Sequence, residues 1–166
     1  MSISARDRGF TLIELLIVVS LVTILTGAMV PRFTGYLDNQ NLKQAQEQVK
    51  SDLRSAAVRA LSGVGASNQD LAFWGIRFVD GATTYTTIAC LATDPTCTSP
   101  VLSQVSDDLP GDVAIDTVGA SPELILFKME NGDTAAGNQA VQLVSGDLCA
   151  RVFVNGAGMV RKDECP

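Results

Sequence analysis

The carboxylate of Glu14, set in a long apolar run, is the place where this chain is best equipped for chemistry. Glu14 is the one charged residue in the run from Phe10 to Val30, FTLIELLIVVSLVTILTGAMV. A carboxylate inside an apolar helix costs about 2.5–3.5 kcal/mol on insertion scales unless it protonates or lies near the interface, so such a residue points to function. The second group of interest is the cysteines. Cys90, Cys97, Cys149 and Cys165 all follow the apolar run. An even count in a region that reads as exported suggests two disulfides. No C-x-x-C pair exists, and the spacings fit no familiar zinc pattern. Three connectivities are possible. Pairing Cys90 with Cys97 and Cys149 with Cys165 is preferred, because each pair then encloses a local loop.

Other chemistry is excluded or weakly signalled. The chain has no His, which removes the commonest general base and the commonest metal ligand. A Ser–His or Cys–His nucleophile cannot be built. No residues point to catalysis, to a cofactor or to a metal, so the expectation is that the chain is not an enzyme. Asp107, Asp108, Asp112 and Asp116 form an acidic stretch, but they match no calcium-loop signature and read as a solvated face, as do Asp133 and Asp147. Gly156-x-Gly158 precedes no helix and reads as a turn, not a phosphate cradle. Net charge is −6. Arg6, Asp7 and Arg8 give residues 1–9 one excess positive charge, so the remainder is at −7. Such a domain repels phosphate backbones at long range, and nucleic-acid binding is disfavoured. Arg161 and Lys162 form a small basic spot, and are the weak candidates for such contact.

The elements that must position these residues follow from hydropathy. Residues 10–30 as a helix would span roughly 31 Å at about 1.5 Å per residue, matching a bilayer core. Arg6 and Arg8 before the run place residues 1–9 in the cytoplasm and residues 32–166 outside. The run is too long for a secretory signal peptide and carries a charge. A plain signal anchor fits the length but gives Glu14 no purpose. Pro31 closes the run and should kink the helix or melt it locally. Beyond it, Leu42, Ala45, Val49, Leu53, Ala56, Ala57, Ala60 and Leu61 recur at helical steps, with Gln44, Glu47, Lys50, Asp52, Arg54 and Arg59 opposite as a solvated face. Gly63 and Gly65 end that pattern. Strands are expected at Trp74–Val79, Thr83–Leu91, Val113–Val118, Leu124–Met129, Ala140–Val144, Cys149–Val154 and Met159–Lys162. Asp80-Gly81 signals a hairpin, and residues 92–111 read as a long surface loop. The class is α+β: a long N-terminal helix covering one face of an antiparallel sheet.

The segment Arg8-Gly9-Phe10-Thr11-Leu12-Ile13-Glu14, followed by an apolar tail ending at Pro31, resembles the processing signal of type IV pilin-like proteins. The resemblance is carried by residues 8–31. It implies cleavage after Gly9 by a prepilin peptidase that also methylates the new amine of Phe10. It implies a lollipop-like subunit with residues 1–9 as leader, 10–30 as membrane and filament-core helix, 31–62 as its amphipathic continuation and 63–166 as a globular β domain. The implied partners are the prepilin peptidase/N-methyltransferase, identical or related pilin subunits, the pilus or secretion assembly machinery, and the inner membrane before assembly. The implied destination is an extracellular or envelope-spanning filament. Glu14 would set register by neutralising a neighbouring N-terminal amine, since each charge alone in a dry core is expensive. A C-terminal disulfide-bounded loop is also familiar among type IV pilins. The soluble part resembles minor pilins and the H-type pseudopilin of type II secretion. Some relatives take up DNA through a Gly-Arg-x-Arg turn, but here the stretch is Gly158-Met159-Val160-Arg161, and Asp163 and Glu164 flank it. A DNA-binding minor pilin and a plain membrane-anchored exported protein are the alternatives.

Overall fold

A helix whose apolar residues repeat at three and four must bury that stripe, and the strands that follow supply the cover. A computed structural model of the chain describes residues 10–63, 70–106, 108–117 and 123–165, with side chains described throughout except at 28–34. The helix α1 spans Leu12–Ser62. Gly63 ends it in the left-handed conformation, at φ 64°, and its N–H donates to the Ala60 carbonyl at 3.4 Å. The expected kink residue, Pro31, lies outside the described side chains, as the leader and Gly9 lie outside the described residues. Contacts group the chain into two units, Met1–Leu37 and Asp38–Pro166, with the boundary inside α1.

Within the second unit, β1 (Leu71–Arg77), β2 (Thr86–Leu91), β3 (Leu102–Val105) and β5 (Leu124–Lys128) form one antiparallel sheet in the order β3-β2-β1-β5. A second antiparallel sheet, β4-β6-β7-β8, comprises β4 (Ala114–Asp116), β6 (Gln139–Ser145), β7 (Leu148–Val154) and β8 (Val160–Asp163). The α+β class is as the periodicities indicate, but two sheets replace the single one expected, and β3 lies inside the stretch expected to be loop. That strand is four residues long and exposed throughout. It lacks the apolar alternation by which a strand is recognised.

Leu42, Ala45, Val49, Leu53, Ala56 and Ala60 of α1 share one core with Trp74, Ile76 and Phe127 of the first sheet and Val141, Leu143, Val152 and Val154 of the second. Truncating such a residue as Leu53, fully buried, costs about 2–5 kcal/mol in general. Leu61 departs from the expected stripe and is exposed, because it sits about 100° around the helix from Ala60. Its side chain fills the space that any residue larger than Gly132 would need, at a backbone φ of 75°. The opposite face of the first sheet has a smaller core of Ile88, Cys90, Cys97 and Leu126. Phe73 and Leu124 pack against that core.

The polar residues of α1 do more than meet solvent, which corrects the reading of that face as merely solvated. The Gln46 amide donates to the carbonyls of Arg151, at 2.7 Å, and Asp163, at 3.3 Å. Arg54 donates to the Val160 carbonyl at 3.0 Å. Lys162 pairs with Glu47, which also holds Lys50 at 2.7 Å. The Tyr85 hydroxyl donates to Asp52 at 2.5 Å. Helix side chains thus meet the outer edge of β8, where unpaired strand groups would otherwise stand open.

The hydrogen bond from Lys162, and then that from Lys50, lower the Glu47 carboxyl from 4.5 to about 2. A depressed folded-state value stabilises the fold above the unfolded value and ceases to do so as pH falls through the folded one. The unfolding midpoint of Glu47→Gln should therefore fall less steeply than that of the parent chain between pH 4.5 and 2. Thermal melts across that range measure the difference.

Candidate functional site

In the N-terminal unit the apolar run is presented rather than buried. Phe10, Leu12, Ile13, Leu15, Leu16, Ile17, Val18, Val19, Leu21, Val22, Ile24 and Leu25 are all exposed, Phe10 at 82%. A contiguous apolar surface of this kind marks contact with protein or lipid. Three hydroxyls within it are already satisfied. Ser20, Thr23 and Thr26 donate to the carbonyls of Leu16, Val19 and Val22, four residues back, at 2.8, 2.8 and 2.7 Å. These three hydroxyl protons need no water, so Ser20, Thr23 and Thr26 can enter a dry environment without stranding a donor. Among the described residues no helix is long and apolar enough to cross a membrane. The expected span, Phe10–Val30, continues past Gly27 into the residues without described side chains.

Glu14 sits in the first turn of α1, where a carboxylate meets the positive end of the helix dipole. Thr11 caps this turn. The Glu14 N–H donates to the Thr11 hydroxyl oxygen at 3.3 Å, and the Leu15 N–H donates to the Thr11 carbonyl at 3.2 Å. Thr11-Leu12-Ile13-Glu14 has the spacing of a capping box, the signal that identifies Thr11 as a site residue and that hydropathy alone misses. Its place in the first turn gives the Glu14 carboxylate a structural role, but an exposed carboxylate at a helix start contributes only about 0.3–1 kcal/mol. That is less than the cost of about 2.5–3.5 kcal/mol for carrying it into hydrocarbon.

The other sequence-derived candidates are placed as follows. Cys90 pairs with Cys97, at a Cα–Cα distance of 5.5 Å, and Cys149 with Cys165, at 6.1 Å. The first bridge is buried against the first sheet, and Arg77 donates to the Cys97 carbonyl. The second ties the residues after β8 to β7. Arg161 and Lys162 are adjacent on β8 and so face opposite sides of the sheet. Arg161 lies over the Phe153 ring, 4.6 Å from its centroid, while Lys162 is bound to Glu47. The strand divides this basic spot in two.

The acidic residues are likewise spread among separate structural contacts. Asp108 accepts from the Thr83 hydroxyl at 3.1 Å, and Asp116 accepts from the Gln142 amide at 2.9 Å. Asp133 accepts from Asn131 at 2.7 Å. Asp112 and Asp147 are exposed, and Asp107 lies outside the described residues. No group of three or more metal-ligating residues occurs among the described residues. Missed in the sequence is Asp94, which accepts from Thr96, Thr98 and the Ser99 N–H inside the Cys90–Cys97 loop region. Chiefly the Ser99 N–H lowers its carboxyl to about 2.

Residues 4–30 match the family model described as the prokaryotic N-terminal methylation motif. No curated protein and no solved structure matches the chain.

Thr11→Ala should speed amide exchange at Glu14 and Leu15 by about fivefold, the equivalent of a cap worth about 1 kcal/mol. Thr11→Ser should leave it unchanged. Hydrogen exchange on the full chain in detergent reads both.

Proposed function

We propose, from the premise that this chain carries the prokaryotic N-terminal methylation motif of type IV pilin-like, prepilin-processed proteins, that it is a structural subunit of a type IV pilus or related pseudopilus. The observation that carries the reading is the carboxylate of Glu14, the one charge in the exposed apolar stretch from Phe10 to Leu25 that opens α1. A methylation motif alone would fit any processed anchor. The carboxylate is what an assembling helix needs and an anchor does not.

Under this reading the leader is cut after Gly9 and the mature chain starts at Phe10. The new amine stands just before the Thr11 cap, at the positive end of the helix dipole, where a cation is disfavoured. A carboxylate from a neighbouring copy relieves that charge, and Glu14 in turn gains a cation for its passage out of lipid. Apolar helices can slide past one another, whereas one ion pair in a dry core holds a single stagger. Before assembly the apolar helix rests in the inner membrane with residues 32–166 outside. Afterwards it is buried among the helices of other subunits in an extracellular or envelope-spanning filament. The two disulfides suit an oxidising compartment outside the cytoplasm. The chain catalyses no reaction; cleavage, methylation and assembly fall to the prepilin peptidase/N-methyltransferase and the assembly machinery.

N-terminal sequencing and mass spectrometry of the protein from its native envelope should find a chain beginning at methylated Phe10. An intact leader in the mature protein would sink the proposal. Glu14→Ala should insert and be processed normally yet enter filaments poorly, by tenfold or more, as sheared-filament yields would show. Unchanged incorporation would refute the register role.

A further inference from the structure

Each sheet has two outer edges, and three of the four are covered by the chain itself. Beside β5, Ala135 N–H donates to the Leu126 carbonyl and Lys128 N–H to the Asp133 carbonyl, both at 2.9 Å. At β4, Ile115 exchanges backbone bonds with Gly81 and Ala82, at 2.8 and 2.9 Å. At β8, Arg54 of α1 donates to the Val160 carbonyl and Glu47 pairs with the Lys162 side chain. The outer edge of β3 has no such cover among the described residues. Its register with β2, together with the Ser106 N–H to Tyr85 carbonyl bond at 2.8 Å, turns the backbone groups of Ser103 and Val105 outward.

Natural edges of this kind are usually guarded by Lys, Pro, a bulge or an inward charge. Leu102-Ser103-Gln104-Val105 contains neither a charge nor a proline, and Leu102 and Val105 are 42% and 63% exposed. Alongside runs an open polar groove of about 190 Å³ between β3 and α1, with Asp52, Ser55 and Arg59 on one wall and Thr87 and Gln104 on the other. The two charges in the groove are not equivalent. Asp52 is engaged by the Tyr85 hydroxyl. The Arg59 guanidinium lies over the Trp74 ring, 5.4 Å from its centroid, with no carboxylate at ion-pair distance among the described residues. Stacking on Trp74 holds the guanidinium in place while its N–H donors stay available to a carboxylate.

We propose that the outer edge of β3 is a docking site for an extended protein segment that bears a carboxylate. The segment pairs its backbone with Ser103 and Val105 as an added strand and sets its acid on Arg59. Main-chain pairing supplies affinity in this mode and side-chain pockets supply specificity. The acid requirement follows from charge complementarity: among the described residues the groove offers one cation without a carboxylate at ion-pair distance and one carboxylate already in use. The docking edge lies wholly within residues 38–166 and stands whether or not the chain enters a filament.

The test is photo-cross-linking in the native host, with the full-length chain carrying benzoylphenylalanine at Ser103 and, as control, at Asp147. The expected result is a protein adduct from Ser103 alone, mapped by mass spectrometry to a segment with Asp or Glu within a few residues. Arg59→Glu should lower its yield about tenfold, the effect of losing a charge-assisted bond worth about 1.4 kcal/mol. Arg59→Lys should retain most of it. Exchanging the mapped acid for Lys should restore the adduct in the Arg59→Glu chain, which a merely structural role for Arg59 would not allow. Should Arg59→Glu fail to fold, the Lys exchange of the partner acid in the parent chain must by itself lower the yield. No adduct, an adduct with nucleic acid or lipid, or a yield indifferent to both charge changes would overturn the proposal.

Discussion

The stripe Leu42, Ala45, Val49, Leu53, Ala56 and Ala60 is the seam to which both sheets attach. Its small members matter as much as its large ones. Ala45, Ala56 and Ala60 are as fully buried along it as Val49 and Leu53. Neither four-stranded sheet could hold its apolar face away from water alone. Packed against the helix they share one interior, and Arg54 then donates to the Val160 carbonyl of β8. The same α1 that carries this seam carries an exposed apolar surface nearer the N-terminus. The boundary between the two contact units falls within it, where the packing on the sheets begins.

Charge is used sparingly and by position. Glu47 bridges Lys50 and Lys162, and Asp94 is saturated by donors of its own loop. Asp52 is held by Tyr85, and Arg161 is laid over Phe153. What these side chains stabilise is local: an edge, a loop, a buried ring. Arg59 and Glu14 have no oppositely charged group at ion-pair distance among the described residues, and each stands beside an uncovered surface. For Glu14 that surface is the N-terminal apolar helix, and for Arg59 the edge of β3.

Disulfides bound the regions where the hydrophobic core thins. Cys90 and Cys97 sit in the four-residue core on the far side of the first sheet, too small to order the following loop alone. Cys149 and Cys165 secure the chain end beyond β8, a terminal strand of four residues. In both places a covalent tie restricts the unfolded chain where burial is limited.

The sequence by itself determined the elements whose physics is local. The apolar run, Glu14 within it, the helical stripe to Ala60, the Gly63 stop and most strands were legible, because periodicity and helix caps depend on near neighbours. Even the capping box at Thr11 and Glu14 was written in four residues. Tertiary structure alone decided that the strands divide into two sheets and that β3 exists inside an apparent loop. It alone set Lys162 on Glu47 and left Arg59 without a carboxylate at ion-pair distance among the described residues. Those outcomes rest on pairings between residues far apart in the chain, where edge cover and charge partners depend on which distant segments meet. No spacing along the sequence encodes them.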